Sequence, residues 1–292
     1  MALVAVRGNF SAASGRGSPF HSLAVQSATP ALMPMKSIPP KKSITVGGSI
    51  LEYVASGTSS PTLVLINGAG CPIEGWNRVF SELEKIGTVF AYNRLHVGCS
   101  SKPTEPQTGD LMVQTLRALL LEVGLPPPYV LIGHSLGGLI ANLFARCHPS
   151  EVLAVVFLDA TAPEDFVVFT AHEGRVLKLL RKTLDAIIGN DGLGEIAHVS
   201  RTSDLVSLAP SFPNIPVTVV TGGKPAMSWL VPASILSARA EHQRRLASIS
   251  PRAKQIIAEK SGHFPQLSEP TVVVHAIREI LTNAYPSSKT NG

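Results

Sequence analysis

Acidic residues are absent from the first 51 positions, cysteine occurs only three times in 292 residues, and no apolar run is long. Each shortage excludes something. Cys71, Cys99 and Cys147 are odd in number, widely separated and free of any C-x-x-C pair. That usage argues against a disulfide framework or a thiolate zinc site and for a reducing compartment. The longest apolar stretches, TLVLI and AVVFL, fall far short of the roughly 20 residues that a membrane-spanning helix needs. The chain therefore reads as a soluble protein. Of the 25 basic residues, five (Arg7, Arg16, Lys36, Lys41 and Lys42) precede Ser43, leaving 20 against 20 acidic residues in the remainder. The net charge of +5 thus belongs to the N-terminal stretch. A body without net positive charge has no electrostatic footprint for nucleic acid.

That N-terminal stretch, residues 1–42, is rich in Ser, Ala, Gly and Pro with scattered Arg and lacks a compact apolar segment of the secretory kind. Two readings fit: an organellar transit peptide for chloroplast or mitochondrion, or an unaddressed extension on a cytoplasmic protein. Both place the protein inside the cell. The other 250 residues are ample for one large core, so a single domain is expected over residues 43–284, followed by a tail at 285–292.

What the chain does have is alternation. SITVGG and ILEYVAS predict an opening hairpin turning at Gly47-Gly48. TLVLIN, TVFAYN, YVLIGH, VLAVVFLDA, IPVTVVTGG and KQIIAEKSG read as strands, separated by helices over about 76–85, 109–123, 137–146, 232–247 and 270–284. Strands that are apolar on both faces and alternate with helices imply a mostly parallel sheet covered on both sides, the α/β class. Such sheets bind ligands beyond the carboxyl ends of their strands.

The loops at those ends carry the chemistry. VLIGHSLGGL places G-H-S-L-G, a G-x-S-x-G pattern, between a strand and a helix, where the central serine takes a strained turn and its hydroxyl stands above the sheet. Ser135 is the candidate nucleophile. A serine hydroxyl needs a base, and of nine histidines His263, in KSGHFPQLSEP, follows the last strand. The third member should be a carboxylate that orients the base. VTVVTGGKPAMSW offers none after the penultimate strand, whereas VVFLDATAPED ends the strand after the nucleophile helix in Asp159. Asp159 is the favoured acid, with Glu164 and Asp165 as rivals. The backbone amides of Leu136 and Ala69, the latter in INGAG with Gly70 as its alternative, are the candidate oxyanion donors. Gly68, Gly70, His134, Phe166 and Phe264 are candidate substrate contacts. No metal site or cofactor is expected.

INGAG, YNRLHVGCS, GHSLGG, LDATAPED and SGHFPQLSEP together resemble the α/β-hydrolase superfamily, in its broad group of single-domain esterase and peroxidase-like hydrolases, over residues 44–284. The resemblance implies the α/β-hydrolase fold with a short cap, here about residues 163–212. It implies a serine hydrolase cleaving a small or medium-sized carboxylic ester through an acyl-enzyme, as a monomer or homodimer. Two other readings share the frame. One is a ligand-binding receptor with little turnover, which gains if Asp159 faces away from His263. The other is lyase or perhydrolase chemistry, the lyase calling on a cap lysine such as Lys178 or Lys182. The chain departs from the usual pattern at Asn67-Gly68, where relatives often carry His-Gly, and at Asn93-Arg94, where they often carry Asp-Arg.

Overall fold

The computed structural model describes residues 38–165, 192–224 and 232–284. The N-terminal stretch up to residue 37, the larger part of the expected cap with Phe166, Lys178 and Lys182, and the C-terminal tail lie outside the described residues.

Eight strands form one sheet: β1 (Lys42–Val46), β2 (Ser49–Ser56), β3 (Thr62–Ile66), β4 (Thr88–Tyr92), β5 (Tyr129–His134), β6 (Val152–Leu158), β7 (Val217–Gly222) and β8 (Ala253–Ala258). Their spatial order is β1-β2-β4-β3-β5-β6-β7-β8. The opening hairpin turns at Gly47 and Gly48, both at positive φ, which glycine adopts without a Cβ clash. β2 pairs antiparallel with β4, and from β4 to β8 every pairing is parallel. Helices α1 (Phe80–Leu83), α2 (Gly109–Glu122), α3 (Leu136–Cys147), α4 (Val199–Leu208), α5 (Ala233–Leu246), α6 (Pro265–Ser268) and α7 (Pro270–Ala284) accompany it.

Period-two alternation divides each central strand between two cores. In β3, Val64 and Ile66 face a core shared with α2, α3 and α4, while Leu63 and Leu65 face a second one built with Trp76, Phe80 and α7. Every residue of β3, β4 and β5 is buried, which is what a parallel strand covered on both faces requires.

One expected element differs. The segment 76–85 is not a single helix: Val79 and Glu82 donate to carbonyls three residues back, and only Phe80–Leu83 closes an α-turn. The apolar spacing of Trp76, Phe80 and Leu83 satisfies packing against the sheet with these tight turns alone.

Candidate active site

At the carboxyl end of β5 the chain turns into α3 within one residue. Ser135 sits there at φ 51°, ψ −121°, a backbone conformation that costs a non-glycine residue of order 1–3 kcal/mol and persists only where its surroundings fix it. Its N–H donates to the Leu158 carbonyl and its own carbonyl accepts from Gly138 and Thr161. The glycines around it are required by contact. A Cβ on Gly133 would stand 2.5 Å from the Gly137 carbonyl oxygen, and one on Gly137 would stand 2.1 Å from that of Ile66.

His263 follows β8 and Asp159 follows β6, and both converge on this turn. The Ser135 hydroxyl donates to His263 Nε2 at 3.0 Å, and His263 Nδ1 donates to Asp159 Oδ2 at 2.6 Å. The carboxylate fixes the tautomer, because it can only accept. Burial pushes the Asp159 carboxyl upward, but the bond from His263 and the Arg239 cation overcome it and hold the group well below the usual carboxylate range. The end of β7, where a carboxylate is missing, instead presents the Gly222 N–H, which donates to Asp159 Oδ1 at 3.2 Å. Gly222 packs so closely on Gly262 that a Cβ would lie 2.2 Å from the Gly262 carbonyl oxygen. The rivals stand apart from the imidazole: Glu164 is exposed, and Asp165 accepts from Ala162 N–H, Arg239 and His242.

The loop after β3 arches over the serine. A Cβ on Gly68 would meet Ser135 Cβ at 3.1 Å and His134 Nδ1 at 2.9 Å. Gly70 N–H is already engaged by Glu195 Oε1 at 2.6 Å. Among the described residues no protein group accepts from the amides of Ala69 or Leu136. Of the candidate amides in this loop, that of Gly70 is thus occupied by Glu195.

That loop is braced by residues the sequence did not single out for the task. Arg94, at the end of β4, donates to the Asn67 carbonyl at 2.8 Å, to the Gly68 carbonyl at 2.7 Å and to both oxygens of Glu195. The two side chains are 5% and 8% exposed, so a buried ion pair ties the loop after β3 to the segment around Glu195, late in the expected cap. Burial disfavours the Arg94 charge, but Glu195 more than restores it and raises its pKa.

His134 lies beneath the site. Its ring is 1% exposed and stands 4.9 Å from that of His263. Its Nε2 donates to the His263 carbonyl at 2.8 Å, while Nδ1 is buried without a partner among the described residues. Burial and the neighbouring His263 hold its pKa down to about 3, so the ring is neutral. Through that bond the buried ring braces the backbone of the His263 loop. Phe264, by contrast, is 40% exposed, with its ring 5.2 Å from that of His263 and 4.9 Å from that of His134. The three cysteines are free, and the described residues contain no cluster of His, Cys, Asp or Glu suited to a metal ion. No helix among them is long and apolar enough to cross a membrane.

Arg239, on α5, is the other functional neighbour that sequence reasoning missed. It contacts Asp159 and Asp165 together. A signal existed: 235, 239, 242 and 246 share one helical face, and Ile235, His242 and Leu246 on that face are buried.

Comparison with known proteins agrees with this architecture. A model of the alpha/beta hydrolase family matches residues 63–276. The uncharacterized protein YqjL of Bacillus subtilis is 25% identical over 255 residues, covering 84% of this chain and 94% of that protein. Among solved structures, a thermophilic esterase from Thermogutta terrifontis is similar with a TM-score of 0.62 at 21% identity, covering 84% of this chain and 99% of that one. Bromoperoxidase from Bacillus anthracis is similar with a TM-score of 0.59 at 18% identity, covering 83% and 100%.

Proposed function

The chain belongs to the alpha/beta hydrolase family, and we propose that within it this protein is a serine hydrolase cleaving a small or medium-sized carboxylic ester through an acyl-enzyme. The observation that carries the reading is the unbroken relay from the Ser135 hydroxyl through His263 to Asp159, at 3.0 and 2.6 Å, on a strained turn.

Ser135 Oγ attacks the ester carbonyl carbon as its proton passes to His263 Nε2. Asp159, ionised and fixed by its other donors, holds the imidazole in the accepting tautomer and stabilises the cation that forms. The carbonyl oxygen becomes an anion between the Leu136 and Ala69 amides, each such donor contributing roughly 2.7–4 kcal/mol to the barrier reduction. Collapse expels the alcohol, which takes the proton from His263. Water then repeats the sequence on the acyl-serine with His263 as base, releasing the carboxylic acid.

The alternative of a ligand-binding receptor turned on Asp159 facing away from His263, and a 2.6 Å contact counts against it. The esterase and bromoperoxidase neighbours share this fold, and the choice between hydrolysis and perhydrolysis rests on the assay below. Initial rates on nitrophenyl esters of short, medium and long acyl chains test the proposal. Wild type should turn over at least one chain length, and Ser135→Ala should lose at least about 10³-fold in kcat. Equal residual rates in wild type and Ser135→Ala would refute it.

A further inference from the structure

We propose that Arg239 is a positioning residue for this site: through Asp159 it fixes the direction in which the carboxylate faces His263. The inference rests on the serine hydrolase reading above and extends it to a residue on a different element, α5.

The geometry is that of a planar fork spanning two carboxylates. Arg239 Nη2 donates to Asp159 Oδ2 at 2.8 Å and to the Asp159 carbonyl at 2.9 Å, while Nη1 donates to Asp165 Oδ2 at 3.1 Å. The bond to the carbonyl matters because Asp159 stands at φ 39°, in the left-handed region that a non-glycine residue occupies only when held there. Its other restraints are a bond from its own N–H to Val220 and one from Gly222 N–H to Oδ1. Arg239 therefore grips both the backbone and the carboxylate of the strained residue. Arg239 is fixed in turn by Asp165, whose oxygens also accept from His242 Nδ1 at 2.7 Å and Ala162 N–H at 2.8 Å. A continuous polar chain results, from His242 through Asp165, Arg239, Asp159 and His263 to Ser135.

The restraint acts on the oxygen that matters. Asp159 Oδ2 accepts from both His263 Nδ1 and Arg239 Nη2, so the guanidinium and the imidazole are aligned on one atom, and without Arg239 the carboxylate would keep only the Gly222 amide to hold it against rotation away from His263.

The test is fluorophosphonate labelling of Ser135 in the full-length chain at a range of reagent concentrations, which separates the maximal inactivation rate from reagent affinity, for wild type, Arg239→Gln and Arg239→Lys, with thermal melts alongside. Labelling needs no knowledge of the substrate. Arg239→Gln, well below its melt, should show a maximal rate about 10- to 100-fold lower with reagent affinity little changed. Arg239→Lys, which keeps the charge and loses the fork, should recover part of that rate. A purely structural role would lower the melting temperature while leaving the maximal rate of the folded variant unchanged. A folded Arg239→Gln with the wild-type maximal rate overturns the proposal. If Arg239→Gln does not fold, Arg239→Lys decides: a lower maximal rate with unchanged affinity supports it, and an unchanged rate overturns it. Wild type that fails to label refutes the serine hydrolase reading itself, and this proposal falls with it.

Discussion

Removing Glu195 should cost both stability and reactivity, although no relay residue is its neighbour in sequence and Ser135 and His263 each lie 60 residues or more away. Glu195→Ala leaves Arg94, 5% exposed, with two backbone carbonyls but no counter-charge, and strips the Gly70 amide of its acceptor. Breaking a buried pair by deleting one partner typically costs about 3–5 kcal/mol, because the surviving charge stays desolvated. At roughly 2–4 °C per kcal/mol for a domain of this size, the melting temperature should fall by about 6–20 °C. Glu195→Gln keeps an acceptor for Gly70 and should fall less. Replacing both charges, as Arg94→Met with Glu195→Leu, removes the stranded cation and should recover a large part of the loss, which makes the interaction visible in a double-mutant cycle. Fluorophosphonate labelling of folded Glu195→Ala at a temperature well below its melt should slow by about 10-fold, because the loop carrying Ala69 loses its anchor. Thermal melts by circular dichroism are the assay. A Glu195→Ala melt within about 2 °C of wild type would refute the assignment of this pair as the brace.

Further outcomes are expected elsewhere. Asp159→Asn should preserve the fold yet lower kcat by about 10³- to 10⁴-fold, through the wrong imidazole tautomer, as steady-state ester hydrolysis would show. Gly137→Ala, whose Cβ would lie 2.1 Å from the Ile66 carbonyl oxygen, should displace the serine turn and abolish fluorophosphonate labelling; undiminished labelling would contradict the packing. His134 has a folded pKa depressed to about 3 from 6.5, so the unfolded state binds the extra proton between those values and stability is lost as pH falls through that window. Asp159, also depressed, adds loss in acid on the same side. Chemical denaturation of His134→Gln should therefore show a flatter decline between about pH 6 and pH 4 than wild type.

The sheet was legible because its strands are uninterrupted apolar runs, such as TLVLI and VLAVVFL, that only a doubly covered strand explains. Ser135 and His263 could be singled out because each occupies a glycine-flanked loop at a strand end, where a polar residue has no packing reason to be. Asp159 was accessible only through the lack of an acid after β7. The structure supplies the reason for that lack: Gly222 and Gly262 meet backbone to backbone there, and the amide of Gly222 serves the carboxylate from β6. Glu195 and Arg239 were not legible by motif, since a charged residue in a cap or on an amphipathic helix ordinarily faces water. Their partners, Arg94 and Asp159, lie 101 and 80 residues away, a pairing that no local pattern encodes. The break in the 76–85 helix was hidden for the opposite reason, because tight turns and an α-helix bury the same three apolar side chains.

The most direct test of the account is to treat the purified full-length chain with a fluorophosphonate and to locate the adduct by peptide mass spectrometry. A single adduct on Ser135, absent from Ser135→Ala and strongly reduced in His263→Gln, is the predicted result. An unlabelled wild type, or an adduct on any other residue, would contradict the claim that Ser135 is an activated nucleophile.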